Sequence, residues 1–302
     1  MPLRAHFAKK KDLLRLEDLS RLCDLFIDRG IRKIRITGGE PLMRRNLIML
    51  IRKLGRRLGS GGLDALLLTT NGSRLEQNAA DLADAGISRI NVSLDSLKPD
   101  IFANITRGAD LDRVLRSIAA ASDLGLKIKI NMVILRGIND CEVDDMIHWC
   151  GDKGYDLSLI ETMPMGDSGE DRRHFYRPLV SLKEELAKRW TLLDTPWRSG
   201  GPSRYVHVQQ TGQLLGFITP LSANFCDSCN RIRLTCTGRV YSCLGHDDHV
   251  DFRPLLLEDA PDSKIHALID QTVHAKPKRH DFCISNSTVQ SKSQRTMNMT
   301  GG

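Results

Sequence analysis

The sequence contains no run of eighteen apolar residues, and its first residues, MPLRAHFAKKKDLL, lack the apolar stretch of a signal peptide. The first absence argues against a membrane span, and the second argues against secretion. Aromatic residues make up only 5% of the 302 residues, and no recognisable nucleic-acid-binding module is present. We therefore expect a cytoplasmic protein whose partners include neither a membrane nor a nucleic acid.

The chain is basic, with 44 Lys and Arg against 37 Asp and Glu and a formal net charge of +7. This excess indicates an anionic partner, and nucleotide phosphates would explain it with a smaller footprint than a nucleic acid. The eight cysteines, in a chain without a secretory signal, favour a reducing compartment. In a reducing compartment, clustered thiols are more often metal ligands than disulfides.

Strands alternate with helices in the first half of the chain. A helix is predicted over residues 17–30 and the strand IRKIRI follows it; further helices are predicted near 43–58, 75–85, 111–125 and 142–153, with short apolar strands between and after them. This alternation is typical of βαβ crossovers and a parallel sheet. We predict an α/β fold, an open, partial TIM-type (β/α) barrel, with a doubly wound sheet as the alternative. No strand precedes the first helix, as though the first βα unit lacked its strand.

The alternation stops at about residue 175. We predict a hairpin around Thr211-Gly212 and a helix near 255–275, followed by a polar tail. The predicted organisation is a barrel domain over 1–175, a C-terminal region over 176–285 and a flexible tail over 286–302.

Polar side chains recur at the ends of the predicted strands, where parallel sheets and barrels bind ligands. The first strand runs into ITGGEP, whose glycines allow a ligand to approach the backbone, although a plain tight turn is an equal alternative. Lys33 and Arg35 share one face of that strand. The later strands end in polar residues that favour one shared site: Thr69, Thr70, Ser93, Asp95, Lys129, Asn131 and Glu161.

The strongest local signal is the segment FCDSCNRIRLTCTGRVYSC, residues 225–243. Cys226, Cys229 and Cys243 could bind a metal or cluster, and either Cys236, His246 or Cys283 could complete the set. Spacing alone favours a structural zinc site. The neighbouring pair Arg231 and Arg233 argues against it, because two guanidinium groups suit a phosphate and a zinc clip needs neither.

Several motifs together resemble the GTP 3′,8-cyclases of molybdenum cofactor biosynthesis, which are radical S-adenosylmethionine (SAM) enzymes. They are RKIRITGGEP, TTNG, NVSLDS, KINMVI, IETMPMG, FCDSCNRIRLT with Cys243, and the closing MNMTGG. The resemblance implies a partial barrel with two [4Fe–4S] clusters. The N-terminal cluster cleaves SAM to a deoxyadenosyl radical, which removes hydrogen from C3′ of GTP before that carbon attacks C8.

The resemblance also implies roles for particular residues. Cys226, Cys229 and Cys243 would hold the C-terminal cluster, with an open iron for the purine and Cys236 as a bystander. Gly39, Ser93 and Met163 would contact SAM. The residues that would bind GTP are Arg35, Thr69, Lys129, Arg231, Ile232 and Arg233. Gly301-Gly302 would resemble the family tail that enters the active site. The expected partners are GTP, SAM, an electron donor, the next enzyme of the pathway (cyclic pyranopterin monophosphate synthase) and a second copy in a homodimer.

Two departures from the family pattern stand out. The CxxxCxxC motif that holds the SAM-cleaving cluster does not occur, and Ser158 stands where many members carry an arginine. We expect a fragment of a cyclase whose true start lies upstream. The alternatives are a non-catalytic GTP-binding protein with one cluster and a zinc-stapled module that binds nucleic acid.

Overall fold

The computed structural model describes residues 8–165, 174–280, 282–284, 289–290, 295 and 299, with the backbone alone at 283–284 and 289–290. The predicted role of Gly301-Gly302 and most of the predicted tail lie outside these residues. So does the side chain of Cys283, one of the candidate fourth ligands.

The first half of the chain alternates helices and strands, as predicted. The sequence of elements is α1 Leu16–Asp28, β1 Lys33–Ile36, α2 Leu47–Gly55, β2 Ala65–Thr70, α3 Ala79–Asp84, β3 Ile87–Ser93, α4 Pro99–Thr106, α5 Leu111–Asp123, β4 Lys127–Ile134, α6 Val143–Asp152 and β5 Asp156–Glu161. Helix α4 is additional to the prediction and begins at Pro99, whose fixed φ suits the first turn of a helix.

The second half of the chain extends the same sheet. Helix α7 (Leu179–Leu186) is followed by β6 (Leu192–Asp194), β7 (Arg204–Val208) and β8 (Leu214–Ile218). The eight strands have the order β1-β2-β3-β4-β5-β8-β7-β6, in which β1 to β5 and β8 are parallel. The predicted partial barrel is confirmed. The sheet contains strands from both sides of the predicted domain boundary near residue 175. The boundary itself stays a prediction.

The two faces of this sheet differ in chemistry because side chains alternate along each strand. One face is apolar and packs against the helices, with Leu66, Leu68, Ile90, Ile130 and Leu157 fully buried. The other face is the polar interior of the partial barrel. Its residues follow from the strand register: Lys33 and Arg35 on β1, Thr69 on β2, Arg89 and Asn91 on β3, Lys129 on β4, Asp156 and Ser158 on β5, Gly216 on β8 and Tyr205 on β7.

The predicted hairpin around Thr211-Gly212 is present between β7 and β8, with Gly212 at a φ of 74°. A second hairpin joins β9 (Arg233–Leu234) to β10 (Arg239–Tyr241), which also pairs with β11 (Val250–Asp251). The helix predicted near 255–275 is two helices, α8 (Arg253–Leu257) and α9 (Asp262–His274). The break falls at Asp259, with a φ of 48°, and Pro261, which cannot continue a preceding helix.

Helix α9 packs against α1 through ion pairs from Arg21 and Arg29 to Asp262 and Asp270. This contact attaches the C-terminal region to the barrel. Among the residues that the structure describes, no helix is both long and apolar enough to cross a membrane.

Candidate active site

Cationic side chains converge inside the partial barrel from three strands. Arg35 on β1 lies near Arg89 on β3 and near Arg231 beyond the last barrel strand: burial and then the charges of both neighbours lower the pKa of Arg35 to about 10. Burial, followed by the charges of Arg89 and Arg35, also lowers the pKa of Lys33. These mutual effects arise only between cations that stand close together. The interior is therefore a region of concentrated positive charge.

Two of these guanidinium groups keep unused donors. The Nε atoms of Arg35 and Arg89 are buried and have no hydrogen-bond partner among the described residues. An unsatisfied buried donor is costly unless a ligand fills its place. Asp156 lies on the same face, and its charge is opposed by burial, which raises its pKa despite nearby Lys129 and Arg89. Its single carboxylate cannot balance the cations, so the interior suits an anionic ligand.

Lys129 is the most enclosed of these cations, with 4% of its surface exposed. Its Nζ donates a hydrogen bond to the hydroxyl of Tyr205 on β7, at 2.9 Å. Burial lowers the pKa of Lys129, while Tyr205 opposes that shift. Lys129 is thus a buried ammonium whose hydrogen-bond partner is neutral.

The three cysteines of the predicted cluster gather at the open end of the β9–β10 hairpin. Cys226 and Cys229 belong to one turn, in which the Cys229 N–H donates to the Cys226 carbonyl at 2.9 Å. Cys243 follows Tyr241, which pairs with Arg233 in the strand register. Both Cys229 and Cys243 act electrostatically on Arg233, so all three side chains are neighbours.

Cys236 lies at the other end of the same hairpin. It occupies the turn between β9 and β10, and its carbonyl accepts a hydrogen bond from Leu14 N–H at 2.9 Å. Its side chain is exposed. The pairing of β9 with β10 therefore holds Cys236 away from Cys229 and Cys243.

Basic groups surround the cysteine cluster. Arg231 Nη2 lies 3.5 Å from Cys229 Sγ, and Lys276 Nζ donates to the carbonyls of Arg231 and Ser242. Burial opposes ionisation of Cys229, but Arg231 and Lys276 outweigh it and lower the pKa of the thiol. Burial and Arg231 lower the pKa of Arg233 to about 10. Because Arg231 also acts on Arg35, the cysteines adjoin the cationic interior.

The residues predicted to contact SAM all lie at the carboxyl edge of the parallel strands. Gly39 follows β1, Ser93 ends β3 and Met163 follows β5. Glu40 braces the first of these loops: its carboxylate accepts hydrogen bonds from Thr70 Oγ1 and from the backbone N–H of Asn71, both at 2.8 Å.

Of the other predicted GTP ligands, Thr69 lies on the inner face and accepts a hydrogen bond from Asn91 at 3.3 Å. Ile232 packs its side chain against the core, which leaves its backbone for any ligand. Sequence reasoning missed Arg89 and Tyr205. The signal for Arg89 was present, because it alternates with Asn91 and Ser93 along RINVSL.

Comparison with known proteins agrees with this geometry. Residues 4–150 match the Radical SAM superfamily, and residues 155–282 match the family described as Molybdenum Cofactor Synthesis C. The chain is 52% identical over 296 residues to a GTP 3′,8-cyclase of Rhizobium etli, covering 98% of this chain and 85% of that protein. A GTP 3′,8-cyclase of Brucella canis is also 52% identical, with coverages of 98% and 86%.

The chain belongs to the GTP 3′,8-cyclase family of radical SAM enzymes. Solved structures agree on the fold. SuiB of Streptococcus suis matches with a TM-score of 0.56 and 15% identity, covering 84% of this chain and 62% of that one. SuiB bound to the precursor peptide SuiA matches with a TM-score of 0.50 and 18% identity, covering 62% and 40%. Membership of the superfamily implies a [4Fe–4S] cluster and SAM.

The three cysteines Cys226, Cys229 and Cys243 are candidate ligands of a single metal ion or of an iron–sulfur cluster, since both bind thiolates. Within the described residues, no group of three His, Cys, Asp or Glu side chains stands close enough to hold a metal ion. Arg231 and Lys276 favour the thiolate form of Cys229, which either kind of centre requires.

Proposed function

We propose that this chain acts on GTP, converting it to (8S)-3′,8-cyclo-7,8-dihydroguanosine 5′-triphosphate in the first step of molybdenum cofactor biosynthesis. The observation that carries the proposal is the group of buried cations inside the partial barrel, in which Arg35 and Arg89 keep unused donors. Relatives at 52% identity bear the name GTP 3′,8-cyclase.

The triphosphate of GTP would supply the negative charge that the cationic barrel interior lacks. It brings about four negative charges, which buried cations bind strongly because little water screens them. Arg35, Arg89 and Arg231 can each present a planar fork to phosphate oxygens, and Lys129 can add a point charge. Thr69 and Arg233 complete the proposed binding set, with Ile232 contributing through its backbone.

Cys226, Cys229 and Cys243 would hold the C-terminal [4Fe–4S] cluster. Held by three thiolates, such a cluster would leave one iron available to the purine of GTP. Arg231, 3.5 Å from Cys229 Sγ, would stabilise the thiolate form of that ligand. The nucleotide would then be fixed at both ends, by its purine and by its phosphates, which restricts which C–H bond meets a radical.

Gly39, Ser93 and Met163 are the proposed contacts of SAM, because all three lie at the carboxyl edge of the barrel strands. The CxxxCxxC ligands of the SAM-cleaving cluster do not occur among the 302 residues. The chemistry of that cluster in this family is the supply of the deoxyadenosyl radical.

The remaining expectations are part of the same proposal. We propose a barrel over 1–175, a cluster- and GTP-binding region over 176–285 and a tail over 286–302. The protein would act in the cytoplasm as a homodimer, receive electrons from an electron donor and pass its product to cyclic pyranopterin monophosphate synthase.

Reconstitution under anaerobic conditions tests the proposal on the chain as it stands. We expect about three to four irons and equivalent sulfide per chain, together with GTP binding that weakens when Arg35 is changed to Met. Zinc without acid-labile sulfide, or no GTP binding, would contradict it.

A form extended at its N-terminus by a CxxxCxxC segment tests the catalytic part. We expect it to release 5′-deoxyadenosine and the cyclised nucleotide when given SAM, GTP and a reductant. If both clusters assemble and GTP stays unchanged, the protein is a GTP-binding iron–sulfur protein and not a cyclase.

A further inference from the structure

We infer that Tyr205 is a positioning residue that holds Lys129 toward the phosphates of GTP, an inference that rests on the function proposed above. Lys129 is on β4 and Tyr205 is on β7, with β5 and β8 between them in the sheet. Lys129 Nζ donates to Tyr205 Oη at 2.9 Å and lies 5.4 Å from the centre of the ring. Each residue is only 4% exposed. The contact therefore lies inside the barrel and crosses the inner faces of β5 and β8.

The surroundings of Tyr205 fix the direction of its ring. Its neighbour on β8 is Gly216, where an added Cβ would lie 2.8 Å from Tyr205 Cε1 and 2.1 Å from Ser203 Oγ. Trp197 packs edge-on against the ring, with centroids 4.7 Å apart. A ring held between a glycine and an indole has little rotational freedom, so its hydroxyl occupies a defined position.

The hydroxyl is held as well as the ring. Tyr205 Oη donates to Ser199 Oγ at 3.3 Å while it accepts from Lys129. The carbonyl of Ser199 accepts from Lys33 Nζ at 2.7 Å. One loop therefore touches both Tyr205 and a second cation of the interior.

A phenol is a suitable partner for a lysine that must bind an anion. A carboxylate in the same place would neutralise the ammonium, whereas a neutral hydroxyl orients it and leaves its charge for the ligand. Among the described residues, Tyr205 is the one hydrogen-bond acceptor for Lys129 Nζ, so two of its N–H donors remain for phosphate oxygens. Ser158, which shares this face of β5 with Asp156, pairs with Ser203 at 3.1 Å, and this hydroxyl pair adds no charge. Lys129 therefore adds its positive charge to those of Arg35 and Arg89 in this part of the interior.

The hydrogen bond also helps to keep Lys129 protonated. The groups that face it are Arg35 and Arg89, which disfavour its charge, and Asp156 and Tyr205, which favour it. Removing the hydroxyl subtracts one of the favourable contributions. The ammonium then loses its proton at a lower pH than in the unaltered protein.

The test is the variant Tyr205→Phe, with Tyr155→Phe as the matched control. Tyr155 is similarly buried but packs against Trp149 of α6, on the helix-covered face of the sheet rather than in the barrel interior. Calorimetric titration should show GTP and inorganic tripolyphosphate binding about three- to tenfold more weakly to Tyr205→Phe. Guanosine should bind within about twofold of the unaltered protein, and Tyr155→Phe should bind all three ligands normally.

Two further readouts separate positioning from general damage. The alkaline decline in GTP affinity should begin at a lower pH in Tyr205→Phe. In a Lys129→Met background, Tyr205→Phe should have no additional effect on GTP affinity, because the lysine that it positions is gone. Additive losses, or an equal loss with guanosine, would overturn the inference. If the unaltered protein fails to bind GTP, the proposed function falls; if it binds GTP and Tyr205→Phe binds equally well, only the role of Tyr205 falls.

Discussion

Glu161, the last residue of β5, accepts hydrogen bonds from both the backbone N–H and the hydroxyl of Ser222, four residues before the first cysteine of the cluster. The same carboxylate accepts from Leu179 N–H at 3.0 Å and Leu221 N–H at 2.9 Å. A single fully buried side chain therefore joins the end of a barrel strand to helix α7 and to the segment that leads into the cysteines.

We predict that Glu161→Ala destabilises the protein by about 2–4 kcal/mol, because several buried N–H groups lose their acceptor together. Urea denaturation measures the loss. We also expect the iron content to fall, because the segment before Cys226 is no longer anchored. Glu184→Gln on the exposed face of α7 is the control and should change neither quantity. A normal iron content in Glu161→Ala would show that the anchor is dispensable for the cluster.

Arg89→Met should separate binding from stability. The change removes one of several neighbouring cations, so GTP affinity should fall about tenfold or more. The free energy of unfolding without ligand should rise, because mutual repulsion with Arg35 and Lys33 is relieved. Titration calorimetry and urea denaturation give the two quantities. Arg116→Met on the exposed face of α5 should leave both unchanged, and a parallel loss of stability and affinity in Arg89→Met would argue for a structural role.

Asp95 should make the protein less stable as the pH rises through its own titration. Burial raises the pKa of this carboxyl to about 6, although Val133 N–H donates to it at 2.8 Å. The unfolded-state pKa is about 3.9, so the folded state carries no penalty below about pH 4 and the full penalty above about pH 6. Asp95→Asn keeps an acceptor for Val133 and should add about 3 kcal/mol at pH 7.

The stabilisation from Asp95→Asn should largely disappear at pH 4, where the carboxyl is protonated in the folded state and about half protonated in the unfolded state. Unfolding free energies at pH 4, 5, 6 and 7 test this directly. An effect of equal size at every pH would assign it to packing and not to ionisation.

The four cysteines of residues 225–243 should fall into two groups. Cys226→Ser, Cys229→Ser and Cys243→Ser should each lower iron and sulfide to a small fraction of the unaltered content. Cys236→Ser should leave both unchanged, because Cys236 lies at the turn end of the hairpin. Iron and sulfide analysis after anaerobic reconstitution measures the difference, and loss of iron in Cys236→Ser would refute the proposed ligand set.

Much of the fold followed from local pattern. The alternation of strands and helices, the parallel sheet and the hairpin at Thr211-Gly212 were all predicted and are all present. Helix α4 was missed, and the helix predicted near 255–275 is two helices. Both differences involve a proline at the start of a helix, Pro99 for α4 and Pro261 for α9. A proline marks a boundary in the sequence, but it does not show whether the residues on each side of it form a helix.

Less of the site than of the fold could be predicted from the sequence. The cations Lys33 and Arg35 on one face of the first strand, and the polar residues at the ends of later strands, Lys129 among them, predicted a shared site. Arg89 lies in register with Arg35 on the same face of the sheet, but the sequence analysis did not identify it. Nothing in the sequence connects Tyr205 with Lys129. Their contact exists because β8 pairs with β5 and β7 pairs with β8, an order that local sequence does not encode.

By itself, the sequence determined which residues alternate on each strand face and which thiols are spaced to share a ligand, because both depend on local backbone geometry. Only the tertiary structure decided which faces meet. It brought Arg35, Arg89 and Arg231 together and put Cys236 at the far end of a hairpin from Cys243. Strand order and register set those distances, and both depend on packing between segments far apart in the chain.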